Sequence, residues 1–123
     1  MSASVFSNIP ESDWLHSSRH FFIVPDKSPV SSGHLLIISK EYRRDFFVLT
    51  GEEKKELTQL ITTAKSLIEN EHNPTGYNIG INCGASAGQT VFHFHCHVIP
   101  RYDGDMDDPR GGVRHSIEGK GYY

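Results

Sequence analysis

Cysteine is scarce in this 123-residue chain, with only Cys83 and Cys96 present and no Cys-x-x-Cys pair. A disulfide framework, a zinc ribbon and a redox dithiol are thereby excluded, and both thiols are expected to be reduced. Positive charge is not in excess either: 12 Lys and Arg stand against 15 Asp and Glu, a net charge of -3. Affinity for nucleic-acid polymers comes from clustered cations that release counterions, so no such partner is expected. A small nucleotide held by local donors is not excluded by that argument. No apolar run approaches a membrane span, and Met1 to Pro10 lacks the basic start and apolar middle of a signal peptide. No membrane partner and a cytoplasmic location are the corresponding expectations.

What is there suits one folded domain over residues 1–123: hydrophobic residues make up 37% and charged residues 22%. Thr50-Gly51-Glu52-Glu53 has the hydroxyl and the carboxylate of a helix capping box. Leu57, Leu60, Ile61, Ala64, Leu67 and Ile68 follow at helical spacing, and Asn73-Pro74 stops the helix because the residue before a proline avoids helical geometry. Four strands are predicted, over His20–Val24, Gly33–Ser39, Tyr77–Cys83 and Val91–Pro100, each rich in β-branched or aromatic residues and bounded by turn formers. The class is therefore α+β with a mainly antiparallel sheet. Gly84-Ala85-Ser86-Ala87-Gly88 joins the last two strands, and its small residues would let backbone amides approach a ligand. Residues 103–123 turn polar and Gly-rich and read as a solvated C-terminal tail. Its aspartates, Asp103, Asp105, Asp107 and Asp108, lack the rest of an EF-hand loop, so no metal is expected there.

The chemistry is concentrated in Val91–Pro100. Alternate residues of a strand share a face, which sets His93, His95 and His97 on one side and Phe92, Phe94, Cys96 and Val98 on the other, toward the core. A solvated face usually carries Lys, Glu and Thr rather than three imidazoles. Metal binding is the stronger rival, since imidazole is the commonest metal ligand. Alternate Cα atoms on a strand are roughly 6.6 Å apart, however, which suits a polyphosphate better than one ion with bonds of about 2.1 Å. Neutral imidazole can attack phosphorus at neutral pH, with the middle histidine as nucleophile and its neighbours contacting phosphate oxygens.

The run Gly88-Gln89-Thr90-Val91-Phe92-His93-Phe94-His95-Cys96-His97-Val98-Ile99-Pro100 resembles the histidine triad family, whose pattern is His-φ-His-φ-His-φ-φ after a Gly-Gln-Thr/Ser-Val segment, with φ apolar. The block from Asp26 through Pro29 to Gly33-His34-Leu35-Leu36-Ile37-Ile38 is similar to the family's nucleoside-binding strand and turn. The resemblance implies a five-stranded antiparallel sheet with one long and one shorter helix, and a homodimer formed through the long helix and a sheet edge. It implies that His95 is the nucleophile at the α-phosphorus, forming a nucleotidyl-histidine intermediate. By the same resemblance His97, Gln89 and Thr90 contact the phosphates and leaving group, beside Gly88 in the lead-in. His93 and His34 form a supporting pair, Asn82 lies on the α-phosphate side, and Asp26 takes the ribose hydroxyls.

The chain also departs from the family. Val5-Phe6-Ser7-Asn8 stands where several branches carry a zinc-binding Cys-x-x-Cys, and Ser39-Lys40-Glu41-Tyr42 replaces the usual Pro-Lys-x-His, so the structural zinc is not expected. Asp108-Pro109-Arg110-Gly111-Gly112-Val113-Arg114 and the ending Pro100-Arg101 resemble the prokaryotic diadenosine-polyphosphate-hydrolase-like branch. Cleavage of a dinucleoside polyphosphate such as diadenosine tetraphosphate is the leading expectation. The motif requires no cofactor, although a divalent metal could accompany the polyphosphate. Adenosine phosphoramidase activity, a non-catalytic nucleotide-binding module and a metal hydrolase stay open as alternatives.

Overall fold

The computed structural model describes residues 4–123. Five strands form one antiparallel sheet: β1 (His16–Ser17), β2 (Phe21–Pro25), β3 (Leu35–Ser39), β4 (Gly76–Gly80) and β5 (His95–Arg101), in the order β1-β2-β3-β5-β4. One long helix, α1 (Gly51–Glu69), covers one face. Its start is the capping box read from the sequence: Thr50 Oγ1 accepts from the Glu53 N–H at 3.1 Å, and Glu53 Oε1 accepts from the Thr50 N–H at 2.7 Å. Its end falls at Glu69, four residues before Asn73. The expected shorter helix is not present among the described residues, where the other helical pieces are 3-10 turns of three to five residues.

The helix stripe Leu57, Leu60, Ala64 and Ile68 packs with Phe21, Ile23, Leu35, Ile37, Phe94, Cys96 and Val98 into the main core. Phe22, Val24, Leu36 and Ile38 point to the opposite face, where Phe6, Ile9 and Trp14 of the N-terminal segment cover them. Burial on both faces explains the unbroken apolar runs of β2 and β3. The two-residue β1 escaped the sequence reading because so short a strand has no periodicity.

Strand β5 begins at His95 rather than Val91. Its partner β3 ends at Ser39, so the residues before His95 run past the ladder, and the Phe94 N–H bonds the Arg43 carbonyl at 2.6 Å instead. Phe92 consequently leaves the core face assigned to it and sits half-exposed beneath the Arg44 guanidinium. Phe94, Cys96 and Val98 do face the core, and burial pushes the Cys96 thiol up to about 12. Strand β4 stops at Gly80, leaving Ile81–Cys83 irregular.

Residues 103–123 are polar but do not trail into solvent. The segment closes on itself: the Tyr122 hydroxyl donates to the Asp108 carbonyl, His115 Nε2 to the Arg110 carbonyl and Arg114 Nη2 to the Lys120 carbonyl. Gly111, at φ +94°, packs so tightly on Gly121 that a Cβ would lie 2.0 Å from its carbonyl oxygen. Arg114, which also stacks on Tyr123, is therefore committed to the tail. Asp105 is likewise engaged, by Arg101 Nε and Nη2 at 2.8 and 2.7 Å, and these bonds hold its carboxyl down at about 2.

Candidate active site

The triad lies on the sheet face away from α1, and each ring has its protons assigned by a fixed partner. His93 is buried, with Nε2 at 2.8 Å from the Ser39 carbonyl and Nδ1 at 2.7 Å from Ser4 Oγ. A carbonyl only accepts, so Nε2 carries the hydrogen and Nδ1 accepts from the Ser4 hydroxyl. His95 Nδ1 is 2.9 Å from the carbonyl of His93. Its hydrogen must therefore be on Nδ1, which leaves the Nε2 lone pair free.

His97 receives the opposite tautomer. The Val30 N–H donates to His34 Nδ1 at 3.2 Å, so in neutral His34 the hydrogen is on Nε2. That nitrogen is 2.9 Å from His97 Nδ1, which accepts, and the His97 hydrogen is placed on Nε2. Neighbouring rings thus present a lone pair at His95 and an N–H at His97, with centroids 5.4 Å apart. Burial holds His34, His93 and His97 below the ordinary histidine value, and the neighbouring imidazoles push His97 the same way. The supporting pair is accordingly His34 with His97, not His34 with His93 as the sequence suggested. The register decides this: β3 runs antiparallel to β5 with Leu36 opposite His97 and Ile38 opposite His95, which keeps His34 at the His97 end.

Asp26 joins this end of the site. Its Oδ1 accepts from the Ser28 N–H at 2.8 Å in a local turn, while Oδ2 reaches 3.4 Å from His34 Nε2 and 3.9 Å from His97 Nδ1. Asp26, His34 and His97 each offer one ligand atom within 4.8 Å of the others, a spacing that would suit tetrahedral zinc. The proton arrangement does not suit it. A metal on His34 Nε2 would need the hydrogen on Nδ1, where the Val30 N–H already points.

Gln89 is placed differently from its expected role. Its carboxamide is buried, with Oε1 accepting from the Gly84 N–H at 2.8 Å and Nε2 donating to the carbonyls of Arg44 and Val91 at 2.7 and 3.2 Å. It ties down the Gly84–Gly88 loop rather than reaching toward phosphate. Gly88, at φ +92°, gives that loop its left-handed close, and Thr90 is exposed just beyond it. Asn82 shares a cavity wall with His34 and His97.

Phe6 was not singled out in the sequence, yet its ring meets the His95 ring edge-on at 4.9 Å and that of His93 at 5.6 Å. It also lines a cavity of about 400 Å³ with Ile9, Val24, Leu36 and Asp26. The available signal was the two-sided burial implied by the apolar runs of β2 and β3, which requires a cover from elsewhere in the chain.

The family model described as "HIT domain" matches residues 9–104. This chain belongs to the HIT family. It is 35% identical over 101 residues to the nitrilase and fragile histidine triad fusion protein NitFhit of Caenorhabditis elegans, covering 82% of this chain and 23% of that one. It is 37% identical over 80 residues to AP-4-A phosphorylase of Mycobacterium tuberculosis, covering 64% and 41%. A crystal structure of a HIT family member from Bacillus subtilis superposes with a TM-score of 0.76 at 32% identity, covering 85% of this HIT chain and 77% of the other. The HIT chain spans 23% to 61% of the length of the first curated relatives it matches.

Proposed function

We propose that this HIT domain cleaves nucleotides at the α-phosphorus through His95, with a dinucleoside polyphosphate such as diadenosine tetraphosphate as substrate. The observation that carries the reading is the pair of opposite tautomers: a free lone pair on His95 Nε2 and a fixed N–H on His97 Nε2. The cavity of Phe6, Ile9, Val24 and Leu36 has the size and apolar walls for a nucleobase, and Asp26 at its wall suits the ribose hydroxyls. Similarity to a protein named AP-4-A phosphorylase supports the substrate class.

In this reading the His95 Nε2 lone pair forms a bond to the α-phosphorus while the bond to the bridging oxygen breaks. That electron pair leaves on the departing phosphate, which needs no proton. The His97 N–H stabilises the charge developing on oxygen. The His93 carbonyl, already bonded to His95 Nδ1–H, supports the positive charge of the nucleotidyl-imidazole. Water then attacks phosphorus, the pair returns to Nε2, its proton passes to solvent and the nucleotide is released. With inorganic phosphate as acceptor the same intermediate would yield a nucleoside diphosphate.

Rapid quenching with diadenosine tetraphosphate, followed by peptide mass mapping, tests the reading. An adenylyl group on His95, and loss of turnover by roughly 10³-fold or more in His95→Gly, are expected. Intact substrate, or full turnover in that variant, would show a binding module or a different nucleophile. Assays on adenosine phosphoramidate, with and without added phosphate, distinguish the leaving group and the acceptor.

A further inference from the structure

The reading above uses one cavity, over β2 and β3. A second, of about 360 Å³, lies over β5 and β4, with His34 and His97 in its wall. Sheet order makes the two cavities flank the triad: the base cavity takes Val24 and Leu36 from β2 and β3, and the second takes Ile99 from β5 and Asn78 from β4. From β2 to β4 there are three strand spacings, about 14 Å, a distance that bridging phosphates passing over β5 can cover.

The lining of the second cavity contains no Lys or Arg. It does not favour a bare polyphosphate. Its walls are apolar at Val30, Ile99 and Val113, with carboxamides at Asn78 and Asn82. Asn78 Oδ1 accepts from Arg101 Nη1 at 2.6 Å, and because guanidinium only donates, this bond fixes which way the carboxamide points. Its Nδ2, on the other side, is 3.4 Å from where a Cβ on Gly112 would be. Asn78 therefore presents a donor, the group needed by the ring nitrogens or carbonyls of a base.

One wall belongs to the tail, through the Gly112–Ser116 turn that packs on β4. The Gly111–Gly121 contact and the hydrogen bonds that close the tail hold that turn in place. Val30 and Val113 line the cavity from different segments while remaining 71% and 70% exposed, an arrangement that contributes little to packing but offers apolar surface to a flat ligand.

We propose that this cavity receives the departing nucleoside of a dinucleoside polyphosphate, so that the C-terminal tail, through Val113, and the β2–β3 loop, through Val30, select the leaving group. The proposal rests on the α-phosphorus chemistry above. It assigns the tail's part in specificity to Val113, while Arg114 bonds the Lys120 carbonyl.

The test compares kcat/KM for diadenosine tetraphosphate with kcat/KM for adenosine phosphoramidate, whose departing group is too small to occupy the cavity. Val113→Asp and Val30→Asp each place a carboxylate at an exposed position on a different segment, so neither depends on the other for folding. In both, the ratio of the two specificity constants is expected to fall by about tenfold, the loss of one good apolar contact set. An unchanged ratio in either variant overturns the proposal. So does a change in sedimentation mass accompanying the effect, which would make the face an interface between copies. Wild-type protein that turns over only the phosphoramidate overturns the subsite and leaves His95 chemistry standing. Wild-type protein that turns over neither substrate overturns the underlying reading itself.

Discussion

His34 decides which nitrogen of His97 carries a proton, and it does so because the Val30 N–H occupies its other nitrogen. In the proposed reaction this ties His34, which also borders the second cavity, to the rate through His97. His34→Ala frees His97 to adopt either tautomer, and kcat is expected to fall by roughly 10²-fold with KM changed little, in steady-state assays. His34→Asn, which can keep an N–H toward His97 Nδ1, is expected to recover part of that loss; equal damage in both variants would reduce His34 to packing. Gln89 gives the contrasting case. Because its carboxamide bonds Gly84, Arg44 and Val91, Gln89→Ala leaves buried backbone groups unpaired and is expected to cost about 1–3 kcal/mol in denaturant unfolding. A loss confined to kcat with unchanged stability would show that Gln89 acts on phosphate instead.

At the scale of elements, α1 is anchored more firmly than a capping box alone provides. Glu53 is buried and accepts from Arg43 Nε at 3.0 and 3.2 Å as well as from the Thr50 N–H. Burial by itself would push this carboxyl up, but these donors hold it below its ordinary value. Thr50→Ala removes only the cap and is expected to cost about 1 kcal/mol. Glu53→Ala keeps the Thr50 cap but removes the reciprocal bond to the Thr50 N–H and leaves the partly exposed Arg43 guanidinium without its carboxylate, and roughly 2 kcal/mol is expected. The two costs, measured by chemical denaturation, rank the contacts. Arg43 also presents its carbonyl to Phe94 just before β5 begins, so the helix start and the entry to the triad strand meet at one residue.

Across the whole molecule, three imidazoles held below the ordinary histidine value link stability to pH. Below about 6.5 the unfolded chain takes up protons that the folded chain refuses, so it binds more of them and stability falls as pH falls. Above that value the effect is complete and the curve is flat. The carboxylates held low, Glu53, Glu56, Glu69 and Asp105, add their own loss only below about 4.5, which leaves the interval above it to histidine. Calorimetry from about pH 7 to about pH 5 should show a falling midpoint, with a shallower slope in His93→Gln. We propose that the homodimer implied by the family forms on β4, one of the two edge strands, where Ile79, at the rim of the second cavity, is 46% exposed. Sedimentation equilibrium is expected to return twice 13.8 kDa for this chain, and a single chain mass would refute it.

What the sequence determined by itself was set by local periodicity. Alternation along one extended segment placed the imidazoles opposite Phe94, Cys96 and Val98, and helical spacing put Leu57, Leu60, Ala64 and Ile68 on one stripe; both depend only on neighbouring residues. The motif spacing around Asp26, His34 and the triad was legible for the same reason. For His93 and His97 the tertiary structure alone decided which nitrogen carries the proton, because the partners are distant in the chain: Ser39 for His93, and His34 for His97, across a sheet whose order no short window encodes. It also turned Gln89 inward, covered the second sheet face with Phe6, and folded the polar tail into a wall beside His97. Sequence periodicity brought three histidines to one face; the neighbouring His93 carbonyl set the tautomer of His95, and the long-range contact with His34 gave His97 the opposite one.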